Sequence, residues 1–197
     1  DFELIVVNDG STDGTDVYLD GLHEPHVRVI HQANQKLPTA LNHGFAAARG
    51  EFFTWVSADN SCAPTFLEAL VHALDRHPEA GLAYSAFAWI DQDDRITGFH
   101  RDQQLTYRQL LCHNPGNAAF LYRRTCHDRL GWYDPALEGA EDWDFWVRVA
   151  EQWPTVYVPE LLCYYRLHDQ SMTAQKQAQI AAASRQVFRR ALARKHG

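Results

Sequence analysis

Three acidic loops and one late cation–imidazole pair carry the residue types best suited to chemistry. Asp9 ends the run Leu4-Ile5-Val6-Val7-Asn8 and precedes Gly10 and Ser11. A tight turn there exposes the carboxylate at a strand end, where it can accept a hydrogen bond from a base N–H. Asp59 lies in Ser57-Ala58-Asp59-Asn60, directly after the apolar run Phe52–Val56. It is an oxygen ligand of the kind Mg2+ or Mn2+ accepts, and such ions take one or two carboxylates plus phosphate oxygens. Glu141 and Asp142 belong to Glu138-Gly139-Ala140-Glu141-Asp142-Trp143-Asp144. These acids stand at a helix start, where the dipole favours ionised carboxylates and aromatic neighbours exclude water, a setting that suits a general base. Arg166 and His168 follow the apolar segment Leu161–Tyr165, so a cation and an imidazole can converge on phosphates.

Each motif also has a plainer structural reading. Asp9 and Ser11 can cap a turn or the next helix, Asp59 or Ser61 can be an N-cap before Pro64, and the acids at 138–144 can be an ordinary acidic first turn. Eleven histidines are dispersed through the chain, and a lone histidine is more often structural than a ligand.

The elements that must position these residues follow from periodicity. Phe2–Val7 and Val27–Ile30 read as central strands, and Phe52–Val56 as the next one. Leu37, Leu41, Phe45 and Ala48 follow helical spacing, with Pro38 in the first turn and Gly50 at the stop. A second helix opens at Pro64, buries Phe66, Leu67, Leu70, Val71 and Leu74, and ends at His77-Pro78. Strand–helix alternation predicts a parallel sheet, and two strands that each break into an acidic loop put carboxylates at one rim of it. That arrangement points to a nucleotide held through a cation.

Further along, Ala80–Ile90 is a strand, and the turn Asp91–Asp94 leads to a hairpin partner at Arg95–Phe99. A helix at Thr106–Cys112, an extended stretch at Ala118–Arg123, a helix at Trp143–Gln152 and a strand at Val156–Val158 complete the body. Ile180, Ala183, Val187 and Ala191 fall on one face of the tail, which reads as an amphipathic helix packed on the body or on a partner, with cations in its last turn.

With 197 residues, 46% hydrophobic and 22% charged, the chain suits a single globular domain with a helical appendage. A net charge of -7 and the lack of a basic stripe exclude a nucleic-acid surface. Cys62, Cys112, Cys126 and Cys163 lack CxxC spacing, which fits reduced thiols in a cytoplasmic protein better than zinc or a disulfide framework. No apolar run reaches membrane-helix length, so membrane contact through a lipid-linked acceptor would be peripheral. The opening Asp1-Phe2-Glu3 has neither a basic head nor an initiator Met, and the expectation is a piece of a longer protein.

Taken together, DFELIVVNDGSTDGT from Asp1, LNHGFAAARGEFFTWVSADN from Leu41, AEDWDFWVRVAE from Ala140 and YYRLHDQSMT from Tyr164 resemble the family 2 glycosyltransferases. The resemblance runs from Asp1 to about Thr173, and the order and spacing of the motifs match as well. It implies an α/β, Rossmann-like GT-A fold with a mostly parallel central sheet flanked by helices, a domain over 1–172 and a C-terminal helix over 173–197. The implied activity is metal-assisted, inverting transfer of a sugar from a UDP or dTDP donor to a hydroxyl of a saccharide or lipid-linked acceptor, as in polysaccharide biosynthesis.

Position by position, Asp9 resembles the acid that reads the nucleobase, Asp59 the metal-binding last acid of a DxD motif, and Asp142 the general base with Glu141 in support. Arg166 and His168 resemble a late motif near the phosphates. The chain departs from the pattern at Ser57 and Ala58, which replace the first two DxD positions on the donor side, and at Leu41, where a donor-contacting arginine often stands. Phosphate binding then falls to Lys36 or Arg166. The family's first strand and helix, roughly 30 residues in a unit of this kind, would precede Asp1. The rival reading is a degenerate GT-A module that binds a nucleotide or a partner protein without chemistry. A nucleotidyltransferase would want a Gly-rich, basic phosphate loop near the start of the chain, which is not visible.

Overall fold

The computed structural model describes residues 1–112, 114 and 119–196. The β-branched run at the start forms β1 (Leu4–Asp9), and α1 (Thr15–Asp20) leads to β2 (Val27–Gln32). β1 and β2 pair in parallel, with Asp9 opposite Gln32 at the end of the ladder. The sequence pattern does not announce α1, a six-residue helix whose start is fixed by Asp13: its carboxylate accepts the Thr15 N–H at 3.2 Å and the Thr15 hydroxyl at 2.6 Å.

The crossover helix α2 (Leu37–Ala47) forms where its spacing predicts and leads to β3 (Phe52–Phe53). β3 is shorter than the expected Phe52–Val56 because the Thr54 hydroxyl donates to the Phe120 carbonyl at 2.6 Å, taking an acceptor that a longer ladder would use. After β4 (Ser61–Cys62) come α3 (Phe66–Arg76), β5 (Leu82–Ile90), β6 (Ile96–His100), α4 (Tyr107–Cys112), β7 (Phe120–Arg123) and α5 (Arg124–Leu130). A 3-10 turn at Pro135–Leu137, α6 (Glu141–Ala150), β8 (Thr155–Arg166), α7 (Met172–Gln175) and α8 (Gln177–His196) complete the chain. The extended stretch expected from Ala118 begins outside the described residues, and its remainder is β7.

The larger sheet has the order β3-β7-β5-β8-β4, with β6 also paired to β5. The α/β class holds, but the pairing is more mixed than strand–helix alternation predicts. β1/β2 and β5/β8 are parallel, whereas β3/β7, β5/β7, β5/β6 and β4/β8 are antiparallel. Alternation, which imposes parallel crossovers, lapses after α3: the tight turn at Asp91–Asp94 makes β6 antiparallel to β5, as a hairpin must be. β8 runs for 12 residues, far beyond the expected Val156–Val158. Pro159 and Glu160 interrupt its apolar pattern, and the sheet absorbs them as a register shift between Ser85 and Phe87 of β5.

Period-2 alternation sends successive residues of the central strands to opposite faces. Leu82 and Tyr84 of β5 and Phe120 and Tyr122 of β7 join one core with Trp146, while Ala83, Phe87 and Leu121 join another with Leu70 and Leu74 of α3. The tail helix α8 completes the first core with Ala183, Val187 and Ala191, all buried. It is tied to the body by Arg194–Glu151 at 2.9 Å and Arg190–Asp134, and the residue before it by Lys176–Glu138 at 2.6 Å. Between the expected alternatives, α8 therefore packs on the body and shares its core with residues 1–172. No helix among the described residues is long and apolar enough to cross a membrane.

Candidate active site

The end of β1 is held by its own loop network. Asn8 is buried, contacts His31 Nδ1 at 3.1 Å and accepts the Ser11 N–H at 3.0 Å, which shapes the turn. Gly10 has φ 75, and a Cβ there would lie 2.8 Å from the Asn34 backbone nitrogen, so glycine alone lets the turn pass the loop at 34–36. Asp9 accepts from Gln32 Nε2 at 2.7 Å, Gln35 N at 2.8 Å and Lys36 N at 2.9 Å. The carboxylate thus fixes the loop that carries Lys36, whose own φ of 73 is left-handed. Lys36 also lies close enough to Glu138 to help hold that carboxyl below its usual range, after the larger effect of the Lys176 hydrogen bond. Sequence reasoning misses Gln32, whose signal is only positional: a polar residue ending a second apolar strand beside the first.

The second group forms where the β4–β8 pairing, Ser61 opposite Tyr164 and Cys62 opposite Cys163, brings residues 59–60 against 166–168. Ser57 and Ala58 lead into the turn, with the Asn60 N–H donating to the Ser57 carbonyl at 3.1 Å. Asp59 Oδ2 lies 3.1 Å from His168 Nε2. Arg166 donates through its backbone N–H to Asn60 Oδ1 at 3.0 Å and through Nε to the Asp59 carbonyl at 2.9 Å. Its remaining nitrogens reach the β5–β6 turn: Nη1 donates to the Asp91 carbonyl and Nη2 to Asp94 Oδ1, each at 2.6 Å. Arg166, expected at the donor phosphates, therefore has all three guanidinium nitrogens engaged within the chain.

The third group is the N-terminus of α6. Glu141 and Asp144 are buried, and Asp142 is half-buried. Burial raises the Glu141 carboxyl well above the ordinary range, and the neighbouring Asp142 charge raises it further. Asp142 is raised by burial too, against the opposing hydrogen bond from the Trp143 N–H at 2.6 Å. Glu141 accepts the Gly139 N–H at 2.5 Å. Two adjacent carboxyls in this setting titrate as a pair, and burial raises both. Asp144 plays a different part: it accepts from Arg148 Nε at 2.8 Å on the helix flank.

Sequence reasoning also misses Tyr133, which no motif surrounds. Its hydroxyl is buried without a hydrogen-bond partner, as is the Trp55 indole nitrogen. Burial pushes the Tyr133 phenol far above its usual range, and the charges of Asp142 and Glu141 add to the effect. Asn42 of α2 holds this residue in place, donating to its carbonyl at 2.8 Å and accepting its N–H at 3.0 Å.

The structure thus joins Asp59 with Arg166 and His168, Asp9 with Lys36, and Glu141 with Asp142. No hydrogen bond or ion pair links Asp9, Asp59 and Asp142 directly. Among the described residues no group of three His, Cys, Asp or Glu side chains could hold a metal ion alone. Asp59 and His168 offer two donors, which fits an ion that completes its shell with diphosphate oxygens and water.

Residues 1–131 match the family described as Glycosyl transferase family 2. An uncharacterized glycosyltransferase of Rickettsia typhi is 26% identical over 180 residues, covering 87% of this chain and 56% of that protein. A PGL/p-HBAD biosynthesis glycosyltransferase of Mycobacterium bovis is 29% identical over 153 residues, covering 75% of this chain and 58% of that protein. The chain spans little more than half the length of these relatives. Among solved structures, S. aureus TarS 1–349 in complex with UDP-GlcNAc matches with a TM-score of 0.70 at 18% identity, over 88% of this chain and 52% of that one. A mannosyltransferase from Pyrobaculum calidifontis in complex with GDP-Man and Mn2+ matches with a TM-score of 0.71 at 19% identity, over 96% of this chain and 55% of that one. Both are GT-A glycosyltransferases, and the fold is theirs. With its family match spanning residues 1–131 of 197, the chain belongs to glycosyl transferase family 2.

Proposed function

We propose that the protein transfers a sugar, with inversion, from a nucleoside-diphosphate donor of the UDP or dTDP type to a hydroxyl of a saccharide or lipid-linked acceptor. The observation that carries this reading is the acid pair at the start of α6, where Glu141 is buried, Asp142 is half-buried, and burial raises both carboxyls. An ionised carboxylate with a raised pKa is a competent base near neutral pH. Asp142 takes the proton of the acceptor hydroxyl as its oxygen bonds to the anomeric carbon, and the bond from that carbon to the diphosphate breaks. Asp9 and its loop hold the base and ribose end of the donor, with Lys36 toward the phosphates, and Asp59 and His168 face the diphosphate. A bound Mg2+ or Mn2+ would neutralise the departing nucleoside diphosphate. The bound nucleotides of the solved neighbours, UDP-GlcNAc and GDP-Man with Mn2+, support a nucleoside-diphosphate-sugar donor. The scattered cysteines and the absence of any long apolar run in the sequence support work at the cytoplasmic side, peripheral to a membrane when the acceptor is lipid-linked.

Asp142→Asn tests the proposal. Removing a general base typically lowers turnover by about 10² to 10⁴ fold, and binding of UDP with Mn2+, read by calorimetry, should persist. Unchanged turnover would refute the role of Asp142.

A second reading, a GT-A module that binds a nucleotide without chemistry, is favoured by Ser57 and Ala58 in place of acids. It predicts UDP binding in calorimetry with no donor consumption by the wild-type protein.

A further inference from the structure

We propose that Arg166 is a positioning residue, a strut through which the β5–β6 turn holds the Asp59 loop in shape, and that exposed Asp94 thereby sets the affinity of the site for a metal–nucleotide pair. The inference rests on the reading of Asp59 as a ligand of the donor's cation.

Both ends of the strut are built. On the site side, Arg166 bonds the loop twice, to Asn60 Oδ1 through its backbone and to the Asp59 carbonyl through Nε. On the far side, Nη1 and Nη2 reach the Asp91 carbonyl and the Asp94 carboxylate. The turn that receives them is rigid by its own bonds. Asp91 Oδ1 accepts the N–H groups of Asp93 at 2.9 Å and Arg95 at 3.0 Å, and the Asp94 N–H donates to the Asp91 carbonyl at 3.2 Å. The Leu167 N–H continues the attachment to the Ile90 carbonyl at 2.9 Å. Asp94 adopts a left-handed φ of 63, a conformation that Asp tolerates better than most residues and that its bond to Arg166 helps to hold.

A guanidinium that grips a diphosphate does so with two parallel N–H donors on an open edge. Here every guanidinium nitrogen already has an acceptor in the chain, and those acceptors connect the Asp59 turn to a hairpin rather than facing a common ligand. The Asp94 side chain is 75% exposed, so its ion pair alone contributes little stability. Its effect is orientation: without it, Nη2 is released and the link between hairpin and loop loosens.

The test compares Asp94→Ala, Asp94→Gly, Arg166→Lys and Asp59→Ala in the intact protein by two measurements. In metal-free protein, hydrogen exchange at the amides of residues 57–60 should speed several-fold in Asp94→Ala and more in Arg166→Lys, and equally in Asp94→Gly, which removes the carboxylate while accepting the left-handed φ of 63 without strain. In calorimetry with Mn2+ and UDP, Asp94→Ala should weaken binding about 3- to 10-fold, and Arg166→Lys at least as much. If Arg166 instead binds phosphate directly, Asp94→Ala leaves exchange unchanged and leaves nucleotide binding unchanged or tighter, and the proposal is overturned. An Asp59→Ala variant that binds Mn2+ and UDP normally would overturn the reading of Asp59 as a ligand and the affinity part of this proposal with it. The exchange measurement, made without metal, still decides the strut.

Discussion

His168 and Asp59 are 109 positions apart in sequence, yet imidazole Nε2 lies 3.1 Å from carboxylate Oδ2. The contact follows from one short antiparallel pairing, β4 against β8, which carries both residues past the sheet edge on the same side. The pair sets an imidazole nitrogen beside a carboxylate oxygen, and the oxygen is the donor type that suits Mg2+ or Mn2+.

The first prediction concerns that pair. His168→Ala should weaken Mn2+ binding in the presence of UDP by about 10-fold or more, the scale seen when a ligand or its support is lost. Metal titration by calorimetry checks it. Unchanged Mn2+ affinity would make the imidazole a surface partner of Asp59 only.

The second prediction concerns the acid pair. Its carboxyls have folded-state pKa values raised above those of the unfolded chain. The stability they contribute is therefore present below the ordinary carboxyl pKa near 4 and is lost as pH rises through the raised range. Glu141→Gln keeps an acceptor for the Gly139 N–H and removes one titration, so it should flatten the decline and stabilise the fold by about 1–2 kcal/mol at neutral pH and above. Chemical denaturation at a series of pH values measures it. The acid limb of the turnover profile should stay in its raised range in this variant, because burial, and not the neighbouring carboxyl, is what raises Asp142.

Much of this site is legible in the sequence because it is local. A β-branched run followed by Asn8-Asp9-Gly10, and an acidic cluster before an amphipathic helix, announce their geometry through chain chemistry alone. What escapes depends on pairing between distant segments. Gln32 becomes a partner of Asp9 only through the β1–β2 register, and the engagement of Arg166 by Asp91 and Asp94 needs β5, β6 and β8 assembled. β8 outruns its sequence pattern for a related reason: Pro159 ends a strand by local rules, whereas the bulge beside Ser85 lets the ladder resume. Tyr133 has no signal, since its importance lies in what surrounds its hydroxyl.

The third prediction concerns His127, buried among Phe45, Phe53, Tyr122, Trp132 and Phe145. Burial lowers its pKa to about 4. A histidine kept neutral in the fold contributes stability above its unfolded pKa, near 6.5, and that contribution is lost as pH falls toward the folded value. The loss should reach about 2–3 kcal/mol by pH 4. His127→Phe preserves the aromatic packing and removes the titration, so its stability should be flatter between these limits. A wild-type slope in the variant would assign the acid sensitivity to other groups.

The last prediction concerns Gly139, two residues before the acid pair. Its φ is 89, and a Cβ there would stand 2.7 Å from Ile180 Cγ1 of α8. Gly139→Ala meets two separate penalties: left-handed strain of about 1–2 kcal/mol, and a collision that must move the loop or the tail helix. The Gly139 N–H bonds Glu141, so any displacement reaches the carboxyl pair directly. Gly139→Ala should therefore destabilise the fold and lower turnover together. Adding Ile180→Ala removes the collision but not the strain, and the shorter side chain holds α8 less firmly against the body. Turnover should then recover while stability stays low, because the loop regains its place as the tail packing weakens. If turnover remains low in the double variant, backbone conformation at 139, and not pressure from α8, is what aligns Asp142.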